Sequence, residues 1–158
     1  MNTPSFDLAG AHRHFSATCF NGAWDLLERP NRSPDDDVRL LAAAHASLWH
    51  WLQRPDCTPR NLSVGYWLLS RAYAVLGNAV EARRYGSLSL DAAAQEPPFY
   101  QGYAHEALAR AARSAGDSQL AERHLAEARR FAEEVTESEE RTMLESDLQQ
   151  LAVQQQTT

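Results

Sequence analysis

Apolar residues recur along this chain at intervals of three and four, the spacing that places them on one side of an α-helix. Leu40, Leu41, Ala44, Leu48, Trp49 and Leu52 follow it, with His45 set among them. The first thirty residues carry two such stripes, Phe15, Cys19 and Leu26 on one side and Phe20, Trp24 and Leu27 on another. They predict a helix from about Phe6 to Glu28 with two buried faces. Pro30-Asn31-Arg32-Ser33-Pro34 breaks it. Ser33 is a good N-cap for the next helix, Pro34 suits its first position, and Asp35, Asp36 and Asp37 suit the positive helix start. Arg54 to Pro59 ends that second helix.

Further helices are expected over 61–76 and 79–95, joined by Gly77-Asn78, and over 99–115 and 118–135, set apart by Glu96-Pro97-Pro98. A seventh is expected over 137–154, with Thr136 and Glu139 in the spacing of a capping box. The tail from Gln154 should fray. No stretch alternates apolar and polar residues with β-branched enrichment, and Ile is absent while Ala is abundant. The expected fold is all-α, one domain over 1–158: an N-terminal helix pair (6–60), two further pairs (61–135) and a capping helix (137–154).

Two segments can be laid over each other. Tyr66 to Tyr73, then Leu76-Gly77-Asn78, Ala82 and Arg84, matches His105 to Ala112, then Ala115-Gly116-Asp117, Ala121 and Arg123. The turn glycines Gly77 and Gly116 are 39 residues apart. Periods of this order mark helix-pair repeats, units that bury their apolar faces only by stacking on neighbours.

Residues 62–130 resemble two tetratricopeptide repeats. Tyr66, Leu69, Ser70, Tyr73 and Ala82 fall where that family places its packing residues, as do Leu108, Ala109, Ala112, Ala121, Leu125 and Ala128. Gly86 and Ser89 depart from the pattern, and His105 replaces an aromatic residue. Ala44 to Trp51, with Ser70 to Gly77, also resembles a group of short bacterial repeat proteins, a likeness that implies no activity. The repeat resemblance implies a short solenoid with the first helix of each unit lining a concave surface. The positions it implies on that surface are Trp67, Arg71 and Ala74 in one unit and Tyr103, Glu106, Arg110 and Arg113 in the other. Helical geometry agrees: Trp67 and Arg71 are four apart, as are Glu106 and Arg110. Trp, Tyr and Arg anchor interfaces through large contact areas and directed hydrogen bonds, and paired guanidinium groups clamp carboxylates or phosphates.

Composition narrows the chemistry. All 15 basic residues are Arg. Without Lys there is no P-loop phosphate site, no Schiff base and no Lys general base. The net charge of −6 is concentrated: residues 131–150 hold seven acids against Arg141, and the remainder is balanced. No basic stripe suits nucleic acid, and the acidic stretch reads as the solvated face of the capping helix. Two cysteines, no apolar run of membrane-spanning length and no leader-like N-terminus lead to the expectation of a cytoplasmic protein without membrane contact.

The six histidines offer no metal-ligand spacing, and Ala109 stands where a zinc-protease motif beginning His105-Glu106 needs its second His. No metal or cofactor is expected. His45 and Trp49 share a helix face, where His45 reads either as a core residue or as an acid–base group at the end of the concave surface. The leading expectation is a non-enzymatic module that binds a peptide or partner protein on that surface. The alternative is a small-molecule or catalytic pocket formed by His45, Trp49, Trp67, Arg71, Tyr103 and Glu106. Phe15, Phe20 and Trp24 on the first helix suggest a homodimer contact.

Overall fold

A computed structural model describes residues 6–153. Among them lie seven helices and no strand: α1 (Leu8–Glu28), α2 (Pro34–Leu52), α3 (Pro59–Val75), α4 (Ala79–Ala93), α5 (Pro98–Ser114), α6 (Ser118–Glu134) and α7 (Ser138–Val153). The tail from Gln154, expected to fray, lies outside the described residues. None of these helices is long and apolar enough to cross a membrane.

Short polar caps set the boundaries. Asp7 accepts from the Gly10 amide at the start of α1, and Ser33 forms a reciprocal capping box with Asp36 at the start of α2. Thr58 forms a second such box with Asn61, so α3 starts at Pro59, two residues before the expected 61. Pro59 opens this helix as well as closing the segment before it, because its fixed φ and missing N–H suit the first turn. Pro98 does the same for α5. At the other end of the chain, Arg141 N–H bonds to Glu137 O, so Glu137, not Thr136, is the residue that precedes α7.

The two similar segments close in the same way. Gly77 and Gly116 adopt φ of 76° and 77°, the left-handed region that glycine enters without a Cβ clash. Asn78 N–H reaches back to Tyr73 O at 2.9 Å, and Asp117 N–H to Ala112 O at 2.9 Å. Asn78 and Asp117 then cap the following helices through their side chains. One residue thus ends each helix and the next starts another.

Each helix packs on its neighbour in sequence, and α1, α3, α5 and α7 also contact one another in that order. The backbones of α2 and α4, and of α4 and α6, do not come close to one another, although the His45 ring reaches across from α2 to Tyr85 of α4. Two apolar clusters hold the array. One joins α1, α2 and α3 through Ala23, Leu40, Ala44, Leu48, Leu68, Leu69 and Ala72. The other joins α5, α6 and α7 through Ala109, Leu125, Ala128, Ala132, Leu144, Leu148 and Leu151. Between them α4 approaches α3 and α5 on small residues. A Cβ on Gly86 would stand 2.9 Å from Leu108 and 3.2 Å from the Ser70 hydroxyl, which explains why no larger residue occupies that position.

Candidate functional site

Two adjoining clefts open on the side formed by α1, α3, α5 and α7. The first, of about 360 Å³, is lined by Trp24, Trp67, Phe99, Tyr100, Tyr103, Met143 and Asp147, with Ser63, Val64 and Ser89. The second, of about 380 Å³, is lined by Leu27, Arg71, Ala74, Val75, Arg110, Arg113, Ser114 and Leu151. Both draw on these four helices, the first also touching Ser89 of α4, and in each of the four the lower-numbered residues line the first cleft. The four helices therefore run in the same direction, and the clefts follow one another along them.

The wall between the clefts is bonded through one carboxylate. Glu106 is fully buried. Its Oε2 accepts from Trp67 Nε1 at 2.9 Å, and its Oε1 accepts a short bond from Arg110 Nε. Arg71 Nη1 stands 3.9 Å from the same Oε1, an ion pair beyond hydrogen-bond range. Trp67 and Glu106 are equivalent positions of the two similar segments, as are Arg71 and Arg110. Neighbouring parallel helices set such positions side by side.

Aromatic rings extend this wall. Trp24 stacks on Trp67 with ring centres 5.7 Å apart, and Tyr103 meets Trp67 edge-on at 5.5 Å. The Arg71 guanidinium lies 5.0 Å from the Trp24 ring centre and 5.5 Å from that of Trp67, within cation–π range. Tyr103 donates to Asp147 Oδ2 at 2.8 Å, tying α5 to α7. Burial and this carboxylate raise the Tyr103 hydroxyl well above its ordinary value, so it stays a donor.

Three guanidinium groups face the second cleft with little to oppose them. Arg113 Nη1 donates a short bond to Leu151 O. Among the described residues, Arg71 Nη1, Arg113 Nε and Arg113 Nη2 are buried and have no hydrogen-bond acceptor. Burial, then the charge of Arg110, holds the Arg71 pKa below its ordinary value, and Glu106 and Asp147 offset this only in part. Burial lowers that of Arg113 too, against the attraction of Glu122.

Six of the eight residues proposed from sequence therefore meet: Trp67, Arg71, Tyr103, Glu106, Arg110 and Arg113. His45 and Trp49 do not join them. His45 Nε2 bonds to the Tyr73 hydroxyl at 2.9 Å, and its ring meets Tyr85 edge-on, because its side of α2 turns toward α3 and α4. Burial lowers its pKa. Trp49, 53% exposed, packs its ring beside His12 and His50 on the α1–α2 side. The six-residue pocket with His45 and Trp49 is corrected accordingly: neither lines a cleft with Trp67 or Arg71. The dimer surface on α1 changes too. Only Phe15 is exposed, while Phe20 packs on the core and Trp24 turns into the cleft.

Trp24 and Asp147 belong to the site but were missed from sequence. Asp147 had a readable signal, lying within the spacing of Leu144, Leu148 and Leu151, where an acid on an apolar stripe needs a partner. Among the described residues no group of three His, Cys, Asp or Glu side chains is placed to hold a metal ion. Compared with protein-family models, curated proteins and solved structures, the chain matches none.

Proposed function

We propose that this chain is a short tetratricopeptide-like array of helix pairs that binds an extended segment of a partner protein, without catalysis, along the clefts between α1 and α7. The juxtaposition of an aromatic cleft with an arginine-lined one carries the reading. Large rings supply contact area at low entropic cost, and guanidinium groups supply direction. The wall between the clefts is already bonded, so little ordering remains for a ligand to impose. The alternation of contacts supports the solenoid: consecutive helices pair, odd helices line one side, and the backbones of the even helices stay apart. His45, the candidate acid–base residue, is engaged by Tyr73 away from both clefts.

The test is selection of binders from a displayed random-peptide library, using the wild type and Met143→Glu. Met143 is 57% exposed at the mouth of the aromatic cleft, so a charge there blocks access without disturbing the core. Peptides enriched on the wild type and lost on the variant support the reading. Equal enrichment on both proteins, or none on either, defeats it.

A further inference from the structure

The second cleft has a charge imbalance that the fold does not resolve. Arg71, Arg110 and Arg113 bring three positive groups to a space of about 380 Å³. Glu106 supplies one carboxylate, whose two oxygens are taken by Trp67 and Arg110. The Leu151 carbonyl takes one N–H of Arg113. Three N–H-bearing nitrogens of Arg71 and Arg113 are buried without an acceptor among the described residues. Unpaired buried donors are costly, and charged ones more so. Glu122 attracts Arg113, while Arg129 opposes it. The missing partner is an anion with oxygens in a plane, the shape that guanidinium groups pair with in two bonds.

The aromatic cleft lies one step along the same helices. From Tyr103 to Arg110 is seven residues of α5, and from Trp67 to Ala74 seven of α3. At 1.5 Å per residue the cleft centres are roughly 10–13 Å apart, the reach of three to four extended residues. We propose that the Arg71–Arg110–Arg113 cleft is a carboxylate subsite. It takes an Asp or Glu side chain of the bound segment, three or four residues from a large apolar side chain seated beside Trp24, Trp67 and Tyr103. This rests on the peptide-binding reading and adds to it the chemistry of the partner.

Ala74 permits a test that leaves every arginine in place. It is half-buried in the second cleft and lies on α3, so Ala74→Glu places a carboxylate among the unpaired donors. The first arm titrates wild type and Ala74→Glu with glutarate at constant ionic strength, reading Trp fluorescence and melting temperature. Wild type should show a saturable change in both, and Ala74→Glu should melt higher and show neither. Absence of a saturable change in wild type, or the same change in the variant, overturns the subsite.

The second arm measures the selected peptides by fluorescence anisotropy, each beside its Glu→Gln or Asp→Asn form. Binding should fall at least tenfold for the amide on wild type and stay equal for the two forms on Ala74→Glu. Peptides that bind with no acid at the stated spacing overturn the subsite and leave the peptide-binding reading intact. Glutarate binding with no peptide bound at all overturns that reading and the assignment to a partner side chain, leaving a site for small organic acids.

Discussion

The five buried serines and the two part-buried arginines, Arg71 and Arg113, both bring polar atoms out of water, yet they end differently. Ser16 and Ser47 bond the carbonyls of Arg13 and Ser16, Ser63 and Ser89 bond each other's carbonyls at 3.1 and 2.9 Å, and Ser70 bonds Ala82 O at 2.7 Å. Each hydroxyl is complete within the protein. Arg71 and Arg113 are not. Folding pairs its buried polar groups wherever it can, because each one left over is destabilising. A seam with every donor engaged is therefore a device for holding helices together. A cleft with donors left over is a place prepared for something else.

The largest test of this contrast removes Glu106, the one carboxylate that joins the two clefts. Glu106→Ala leaves Trp67 and Arg110 without their acceptor and removes the carboxylate paired with Arg71 and Arg110. A loss of roughly 3–5 kcal/mol is expected in urea denaturation. A loss below about 1 kcal/mol would show that the wall is held by its rings alone.

The serine seam should respond less. Ser63→Ala removes one donor and leaves the Ser89 carbonyl short of a partner, and about 1–3 kcal/mol should be lost. The double variant with Ser89→Ala should lose less than the sum of the two singles, since the pair acts as one unit. Strict additivity would mean that the two hydroxyls do not depend on each other.

Acid sharpens the comparison on the far side of α5. His105 and His124 share one hydrogen bond at 3.0 Å between their Nδ1 atoms, and His105 stacks on Phe131. Burial first, then the charge of His124, lowers the His105 pKa to about 4. A histidine near 6.5 when unfolded and near 4 when folded binds its proton more readily in the unfolded chain. Its full contribution is present above about pH 6.5 and is lost as pH falls toward 4. Allowing for solvent screening of a partly exposed ring, the loss is on the order of 1–2 kcal/mol. His105→Phe should flatten stability across this window, and an unchanged slope would place the proton elsewhere.

The smallest effect belongs to the tie between α5 and α7. Tyr103→Phe removes the bond to Asp147 and should lower stability by about 0.5–1.5 kcal/mol. Opening of α7 should show as faster amide exchange around Leu144 and Leu148. Protection unchanged there would mean that the apolar contacts of α7 suffice.

The helices were legible because their signals are local. Ser33 before Pro34, Asn78 and Asp117 after their glycines, and the leucine stripes of α2 and α7 act within one or two turns. Among the boundaries that moved were those at Pro59 and Pro98, where a residue read as a breaker is the first residue of the next helix. Six site residues were legible as positions that the tetratricopeptide resemblance implies, and the likeness of the two segments lines up Trp67 with Glu106 and Arg71 with Arg110. His45 and Trp49 were misplaced because a shared helix face says nothing about which neighbour that face meets. Trp24 was hidden for the same reason: its stripe on α1 reads as a core face, and it does pack, but at the edge of a cleft.

By itself, the amino-acid order determined that the chain forms helices, nearly where they start and stop, and which chemistries it lacks. Those properties follow from caps, turn glycines, hydrophobic period and composition, all of which act over a few residues. Only the tertiary structure decided that one carboxylate serves Trp67 and Arg110 together, that Trp24 closes the cleft, and that three buried arginine nitrogens find no hydrogen-bond acceptor among the described residues. Whether a buried donor finds an acceptor depends on distances of an ångström or less between separate helices, and no local pattern carries that information.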